Sequence, residues 1–264
     1  MQPKDAFHSL FHLAHTYFTT RINRERFEIA EPFQPDAAAV SVVAEPGWES
    51  YWSRKDNRPA LMVYDLIAAF YRKAIIRPAL NRELSRSFPA GSHLLHAGCG
   101  SGQIDRDIGA RIGISALDTS PAALSIYKKA NRNHLRLLHG SVMQIPAAEG
   151  TFDGVYTVGL MEHFTEGEIV AALAEFRRVL RPGGRITLFW RPVWAPSVLT
   201  LKAAHFMLNR VLRRNVELHP PERTLVKSRS QIKSYLEQAG FTLRRFTVEP
   251  RDLFTYVVIV ADAA

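Results

Sequence analysis

From residue 92 onward, short apolar runs alternate with amphipathic stretches, and this alternation restricts the possible folds more than any other feature of the chain. The runs HLLHAG (93–98), ISALDTS (114–120), LRLLHGS (135–141), FDGVYTV (152–158) and RITLFWR (185–191) read as five strands. Between them, QIDRDIGAR (103–111), residues 121–131 and residues 166–180 read as helices. Pro121 stands at a first helical position with Ser120 as N-cap, and Ile169, Leu173, Phe176, Val179 and Leu180 share one face of the third helix. Regular alternation of strands and helices with short connections predicts a parallel, doubly wound sheet covered on both faces. The end of the chain differs. A helix at 229–239, stopped by Gly240, leads into FTLRRFTVE (241–249) and DLFTYVVIVADA (252–263). Only Pro250 and Arg251 separate these runs, too few residues for a crossover helix, so they must pair antiparallel. The expected fold is α/β, a Rossmann-like seven-stranded sheet over residues 92–264 with its last strand antiparallel. A helical extension at 1–91 precedes it, and a helical lid at about 192–228 interrupts it.

The first strand ends in Gly98, Gly100 and Gly102. A glycine loop there brings backbone N–H groups to the carboxyl edge of the sheet, where α/β folds bind ligands. A tight strand-to-helix turn with no ligand is the plainer reading of the glycines alone. Asp118 adds specificity, because it ends the second strand twenty residues after Gly98. An acid at that position can accept hydrogen bonds from both hydroxyls of a ribose. Its alternative role, capping the next helix, is already filled by Ser120.

The segments LLHAGCGSGQ, ALDTS, LLHGSVMQIPAAEGTFDGVYTVGLMEHF and LRPGGR follow one another in order. With them, residues 93–191 resemble the class I S-adenosylmethionine-dependent methyltransferases of the methyltransferase domain 11 type. SYLEQAGFTLRRF and the terminal hairpin are similar to that family's last helix and reversed seventh strand. The resemblance implies S-adenosylmethionine as cofactor. It places Ala97, Gly98, Cys99, Gly100 and Gly102 around the methionine part, flanked by His96 and Gln103. Asp118 is implied for the ribose, Thr119 beside the adenine, Ser141, Val142 and Met143 around the adenine ring, and Val158 and Gly159 along the wall near the transferred methyl. Two positions depart from the family pattern, which often has acids where His96 and Ser141 stand. A neutral His96, accepting one hydrogen bond and donating another, is the form compatible with a cationic ligand.

Methyl transfer from a sulfonium is an in-line displacement that requires positioning and removal of water, with a base only where the acceptor loses a proton. The sequence accordingly offers no catalytic triad, and no metal site is expected. His8, His12 and His15 share a helical face but lack a carboxylate or fourth ligand, so they read as a solvated face. His163 in MEHF is the candidate base, against a plain packing role. Its neighbour Glu162 reads as a solvated or structural acid, His139 as structural and Cys99 as a small packing residue. The asparagine- or aspartate-Pro-Pro-aromatic motif of amino-methylating nucleic-acid enzymes is replaced by VGLMEHF. The only cysteine lies in the cofactor loop, which argues against pyrimidine C5 methylation.

The net charge of +9 permits an anionic partner without choosing one. Most of the excess lies between residues 191 and 230, where Arg191, Lys202, Arg210, Arg213, Arg214, Arg223, Lys227 and Arg229 face only Glu217 and Glu222. Residues 196–214 combine basic and apolar positions, which suits a lid over an amphiphilic substrate or a peripheral contact with the inner face of a membrane. Tyr51, Trp52, Trp190, Trp194 and Phe206 are the aromatic candidates for substrate contact. The expected function is methyl transfer to a small-molecule, hydrophobic or lipid-like acceptor. An RNA or protein methyltransferase docking through 191–230 is the alternative, although no strong nucleic-acid signature is visible, and a non-catalytic cofactor-binding protein is a third. A lone cysteine and the absence of a leader pattern or a long apolar span lead to the expectation of a cytoplasmic protein.

Overall fold

The structure, a computed structural model, describes residues 48–49, 52, 69–108, 111–196, 198, 206–207, 210 and 222–264. His8, His12, His15, Tyr51 and most of the 196–214 segment lie outside the described residues. A π-helical turn, Arg72–Ile76, runs into helix α1, Arg77–Ser87. Then follow β1 (His93–Ala97), β2 (Gly113–Asp118), α2 (Pro121–Ala130), β3 (Arg136–His139), β4 (Phe152–Val158), α3 (Glu166–Val179), β5 (Leu180–Trp190), α4 (Arg229–Gln238), β6 (Phe241–Val248) and β7 (Val257–Ala263).

These strands form one seven-stranded sheet in the order β3-β2-β1-β4-β5-β7-β6. β1 to β5 pair in parallel, and β7 runs antiparallel to both β5 and β6. The chain order reverses between β1 and β4, so the ends of those two strands flank the crevice where such sheets bind ligands. Alternate residues of the buried strands feed two cores. Leu95, Ala97, Val155, Ile186, Leu188 and Ile259 pack with Leu173 and Phe176 of α3 and Ile232 and Leu236 of α4. On the other face Leu94, Tyr156, Phe189 and Val258 pack with Leu80 and Leu84 of α1.

The helix starts follow local chemistry. Ser120 Oγ accepts from Ala123 N at 3.1 Å ahead of Pro121. Thr165 and Glu168 form a reciprocal capping box on α3, with Thr165 N donating to Glu168 Oε2 at 2.7 Å. Gly240, at φ +75°, takes the left-handed position behind α4.

Two sequence expectations are corrected. The helix expected at 103–111 is, through residue 108, a chain of tight turns with Asp105 N bonded to Gly102 O at 3.1 Å and Ile108 N to Asp105 O at 3.0 Å. The carboxylate of Asp105 is drawn inward, which fixes the turn, while Ile104 and Ile108 still reach the core. The final strand begins at Val257 rather than at 252. Asp252 turns inward and accepts from Tyr256 N at 3.2 Å, and Leu253 and Phe254 adopt left-handed φ of 55° and 58°. The alternation of DLFTY imitates a strand, but an inward aspartate forces a turn.

Candidate active site

Gly98, Gly100 and Gly102 all have positive φ, between 51° and 70°. This lets the backbone fold back so that Gly98 N and Cys99 N both bond the Leu117 carbonyl of β2, at 2.9 and 3.0 Å. A Cβ on Gly98 would lie 2.7 Å from the Leu160 side chain, and one on Gly100 would lie 2.7 Å from the Trp52 ring. The loop is thus wedged between the turn after β4 and an aromatic side chain preceding the sheet. Asp118 anchors it, accepting from Gly100 N at 2.8 Å and Ser120 N at 2.9 Å. Burial raises the Asp118 pKa, and those two N–H groups work against the rise. Each carboxylate oxygen keeps a further lone pair that can accept a hydroxyl.

Thr119 and the 139–143 segment wrap the same strand end. His139 Nε2 lies 3.1 Å from Thr119 O, Gly140 N bonds Asp118 O at 3.1 Å, and Ser141 Oγ accepts from Met143 N at 3.1 Å. Val142 is buried against the core and Met143 is partly buried beside it. Gln103 follows the loop, with its side-chain carbonyl oxygen buried and unpartnered among the described residues. Cys99 packs with Ala116, Leu124 and Tyr127, and burial pushes its thiol pKa well up.

Three residues ahead of the sheet cross this edge. Trp48 meets His163 edge-on with ring centres 4.9 Å apart, Ser120 Oγ donates to Glu49 Oε2 at 2.5 Å, and Trp52 rests on Gly100.

Beyond β4, Gly159 (φ +68°) bonds Phe189 O through its N–H at 3.0 Å, continuing the wall started by Val158. Its Cα faces the Tyr256 hydroxyl and Glu162 Oε1, which a Cβ there would approach to 3.1 and 3.5 Å. Of the two roles that the sequence left to Glu162, solvated or structural, burial removes the first, since its exposure is 0%. The segment 222–226 covers it, with Arg223 N and Thr224 N donating to the Glu162 carbonyl at 2.7 and 3.1 Å. Arg191 reaches two carboxylates, Glu162 at 3.2 Å and Glu222 at 2.6 Å, and its guanidinium lies 5.8 Å from the centre of the Tyr256 ring. Burial pushes the Glu162 pKa up to about 7, with Arg191 opposing the rise. For Arg191, burial pulls downward, but Tyr256, Glu162 and Glu222 outweigh it and hold the guanidinium charged. His163, the candidate base, is 8% exposed beside this cluster.

Of the aromatic substrate candidates, Trp194 and Phe206 are exposed and Trp52 touches the glycine loop. Trp190 is corrected: it is buried, stacks on Tyr235 and donates to Thr224 O at 2.9 Å. It shares the strand face of Ile186 and Leu188, which points into the core. The sequence reading missed Asp105, Tyr127 and Tyr156, which surround His96, and Arg191, Glu222 and Tyr256, which surround Glu162. No motif spacing links these residues. Only the parity of Tyr156 in β4, opposite to that of Val155, hinted at its direction.

A reversed seventh strand beside five parallel ones, a glycine loop at the switch point and an acid ending β2 define the class I methyltransferase architecture. Residues 94–184 match the family model described as a methyltransferase domain. The chain is 28% identical over 171 residues to an O-methyltransferase of Pyrenophora dematioidea, covering 56% of this chain and 63% of that one. It is 35% identical over 99 residues to the malonyl-[acyl-carrier protein] O-methyltransferase of Serratia marcescens, covering 36% and 37%. The chain thus spans less than two thirds of the length of these curated relatives. Among solved structures, the magnesium protoporphyrin IX methyltransferase of Synechocystis, crystallised with S-adenosylhomocysteine, superposes with a TM-score of 0.56 at 15% identity, covering 79% of this chain and 90% of that one. Residues 94–184 thus carry a methyltransferase domain, and the sheet around them has the fold of the class I S-adenosylmethionine-dependent methyltransferases. The residues present fit that cofactor: a glycine cradle that side chains would fill, and a buried carboxylate at the end of β2.

Proposed function

We propose that this chain moves the methyl group of S-adenosylmethionine to an oxygen of a small, hydrophobic or lipid-like acceptor by in-line displacement. The observation that carries this reading is the contact of Leu160 with Gly98, which joins the cofactor loop to the turn bearing Glu162 and His163. When bound, the cofactor supplies a methyl group activated by the positive sulfur. The glycine loop and Asp118 fix its position, and Gln103, Thr119, Ser141, Val142 and Met143 complete its surroundings. Trp48, Glu49 and Trp52 close the edge against water. His163, with Glu162 beside it, takes the proton of an acceptor hydroxyl. Arg191 and Tyr256 hold Glu162 in place.

The acceptor class is supported by the exposed Trp194, Phe206 and Met207 on the lid side of β5 and by relatives named for oxygen methylation. We place the methyltransferase domain at 92–264, the extension before it and the lid at about 192–228, with 196–214 as the segment for peripheral membrane contact. Among the described residues no helix is long and apolar enough to cross a membrane.

The test is incubation of the protein with S-adenosylmethionine radiolabelled in its methyl group and a cell extract divided into lipid, small-molecule, RNA and protein fractions. Label in an organic-soluble small molecule, released as methanol by mild alkali from a methyl ester or retained under alkali by a methyl ether, is the expected outcome. Label confined to RNA or protein would transfer the assignment to a macromolecular acceptor docked on the basic segment. Tight cofactor binding with no label anywhere would mean a non-catalytic role.

A further inference from the structure

His96 lies in β1, two residues before Gly98, and is 1% exposed. Its Nδ1 lies 2.6 Å from Asp105 Oδ2, and the Tyr127 hydroxyl donates to that same oxygen at 2.8 Å. The imidazole stacks on the Tyr156 ring, with centres 4.4 Å apart and planes 22° from parallel. A carboxylate only accepts, so Nδ1 must carry the proton that it shares with Asp105. This leaves Nε2, in a neutral imidazole, as an acceptor. His96 Nε2 is buried with no partner among the described residues, while the Tyr156 hydroxyl faces Asp105. Buried polar atoms left without partners are rare and persist where a ligand or a function uses them. Asp118, the other carboxylate at the loop, already accepts from Gly100 N and Ser120 N on the ribose side. The pair of His96 and Asp105, behind the glycine loop through the bond of Asp105 N to Gly102 O, is therefore the buried polar group with no role assigned so far.

We propose that Asp105 is a positioning residue that fixes His96 in its Nδ1–H form, so that Nε2 accepts a hydrogen bond from the ammonium of the cofactor's methionine end. A carboxylate that orients a histidine by one nitrogen to set the chemistry of the other is a general device. Here it places negative charge and an acceptor beneath the loop although the strand residue is a histidine. The assignment rests on the cofactor reading given above.

The test is calorimetric binding of S-adenosylmethionine, S-adenosylhomocysteine and 5′-methylthioadenosine, the last of which lacks the amino-acid end. Asp105→Asn removes the negative charge and leaves at most a neutral carbonyl to accept from Nδ1, so the Nδ1–H form is no longer enforced and Nε2 is a weaker acceptor. It is expected to weaken both amino-acid-bearing ligands about tenfold or more, the size of one charge-assisted hydrogen bond, and to leave methylthioadenosine within about twofold. Adding His96→Glu to Asp105→Asn moves the acid onto the strand and is expected to restore binding to within about threefold of wild type. Equal weakening of all three ligands, or no weakening of any, overturns the proposal, as does a folded double variant that binds no better than Asp105→Asn. Should Asp105→Asn not fold, nitrogen-15 histidine spectra of the wild-type protein decide. The His96 Nε2 resonance should move on adding S-adenosylmethionine and stay still with methylthioadenosine, and an Nε2–H form in the free protein overturns the idea. Wild-type protein that binds none of the three ligands overturns the cofactor reading itself, a result distinct from any variant outcome.

Discussion

On the β1–β3 side of the carboxyl edge, the site is held mostly by backbone. Left-handed glycines return N–H groups to the Leu117 carbonyl, and Asp118 accepts from two further main-chain N–H groups. On the β4–β7 side it is held by long side chains from distant points, with Arg191 tied to Glu162 and Glu222 beneath Tyr256. Backbone geometry of the first kind tolerates few residue types but depends little on charge or pH. A buried cluster of two carboxylates and one guanidinium is sensitive to both. The two sides should therefore fail in different ways.

The largest effect belongs to the backbone side. Gly102 sits at φ +63°, and a Cβ there would lie 2.3 Å from both the Tyr127 ring and Asn131 Nδ2. Tyr127 is fully buried and hydrogen-bonded to Asp105, so it cannot swing away. Gly102→Ala combines left-handed strain with overpacking and is expected to lower stability by about 2–5 kcal/mol in urea unfolding, equally at pH 6 and pH 8. A loss under about 1 kcal/mol would show the loop to be softer than its geometry implies.

Next comes Arg191→Met. Removing the guanidinium leaves Glu162 buried and uncompensated, a change that typically costs about 3 kcal/mol or more. Glu162 can escape by taking a proton, so the loss should be clearly larger at pH 8 than at pH 5.5. A loss independent of pH would mean that the ion pair plays no part in it.

Glu162→Gln isolates the same group from the other side. The Glu162 pKa is about 7 in the folded protein, above the ordinary 4.5. Between these values the folded state holds the proton more than the unfolded state does, so the contribution of this group to stability is full below about pH 4.5 and is lost as pH rises through 7. Asp252, raised to about 6 by burial, adds to the fall in the same direction and is untouched by the variant. The stability of Glu162→Gln relative to wild type should thus improve by about 2–3 kcal/mol from pH 4.5 to pH 8. A flat difference across that window would place the Glu162 titration outside it.

The contrast also explains what could be read from the chain. Gly98, Gly100, Gly102, Asp118 and Ser120 were legible because each is demanded by its own local backbone, at a fixed distance from a strand end. The parallel sheet followed from the alternation of strands and helices, and the reversed hairpin from its two-residue connection. Glu162 was left between a solvated and a structural role because its burial comes from 222–226, sixty residues away, and nothing near MEHF announces that cover. Arg191, Glu222 and Tyr256 meet it only after β5, the lid and β7 are in place. Asp105 was hidden differently: QIDRDIGAR has helical spacing, and only the inward pull of His96 and Tyr127 breaks the helix into turns. Trp190 was the avoidable error, since its parity with Ile186 and Leu188 already pointed it at the core.

The smallest effect sharpens the comparison most. If the β1–β3 side works through backbone, a loop side chain that only packs should be replaceable at little cost. Cys99 is that residue, with its thiol buried among Ala116, Leu124 and Tyr127 and in contact with the Gly100 carbonyl at 3.6 Å. Cys99→Ala removes one sulfur from a site already rich in small residues, and the main-chain bond from residue 99 to Leu117 survives. Stability should fall by about 1 kcal/mol or less, and affinity for S-adenosylmethionine should stay within about threefold of wild type. A tenfold loss of affinity with stability intact would mean that the thiol itself takes part in binding, and the division between a backbone side and a side-chain side would then fail at the centre of the loop.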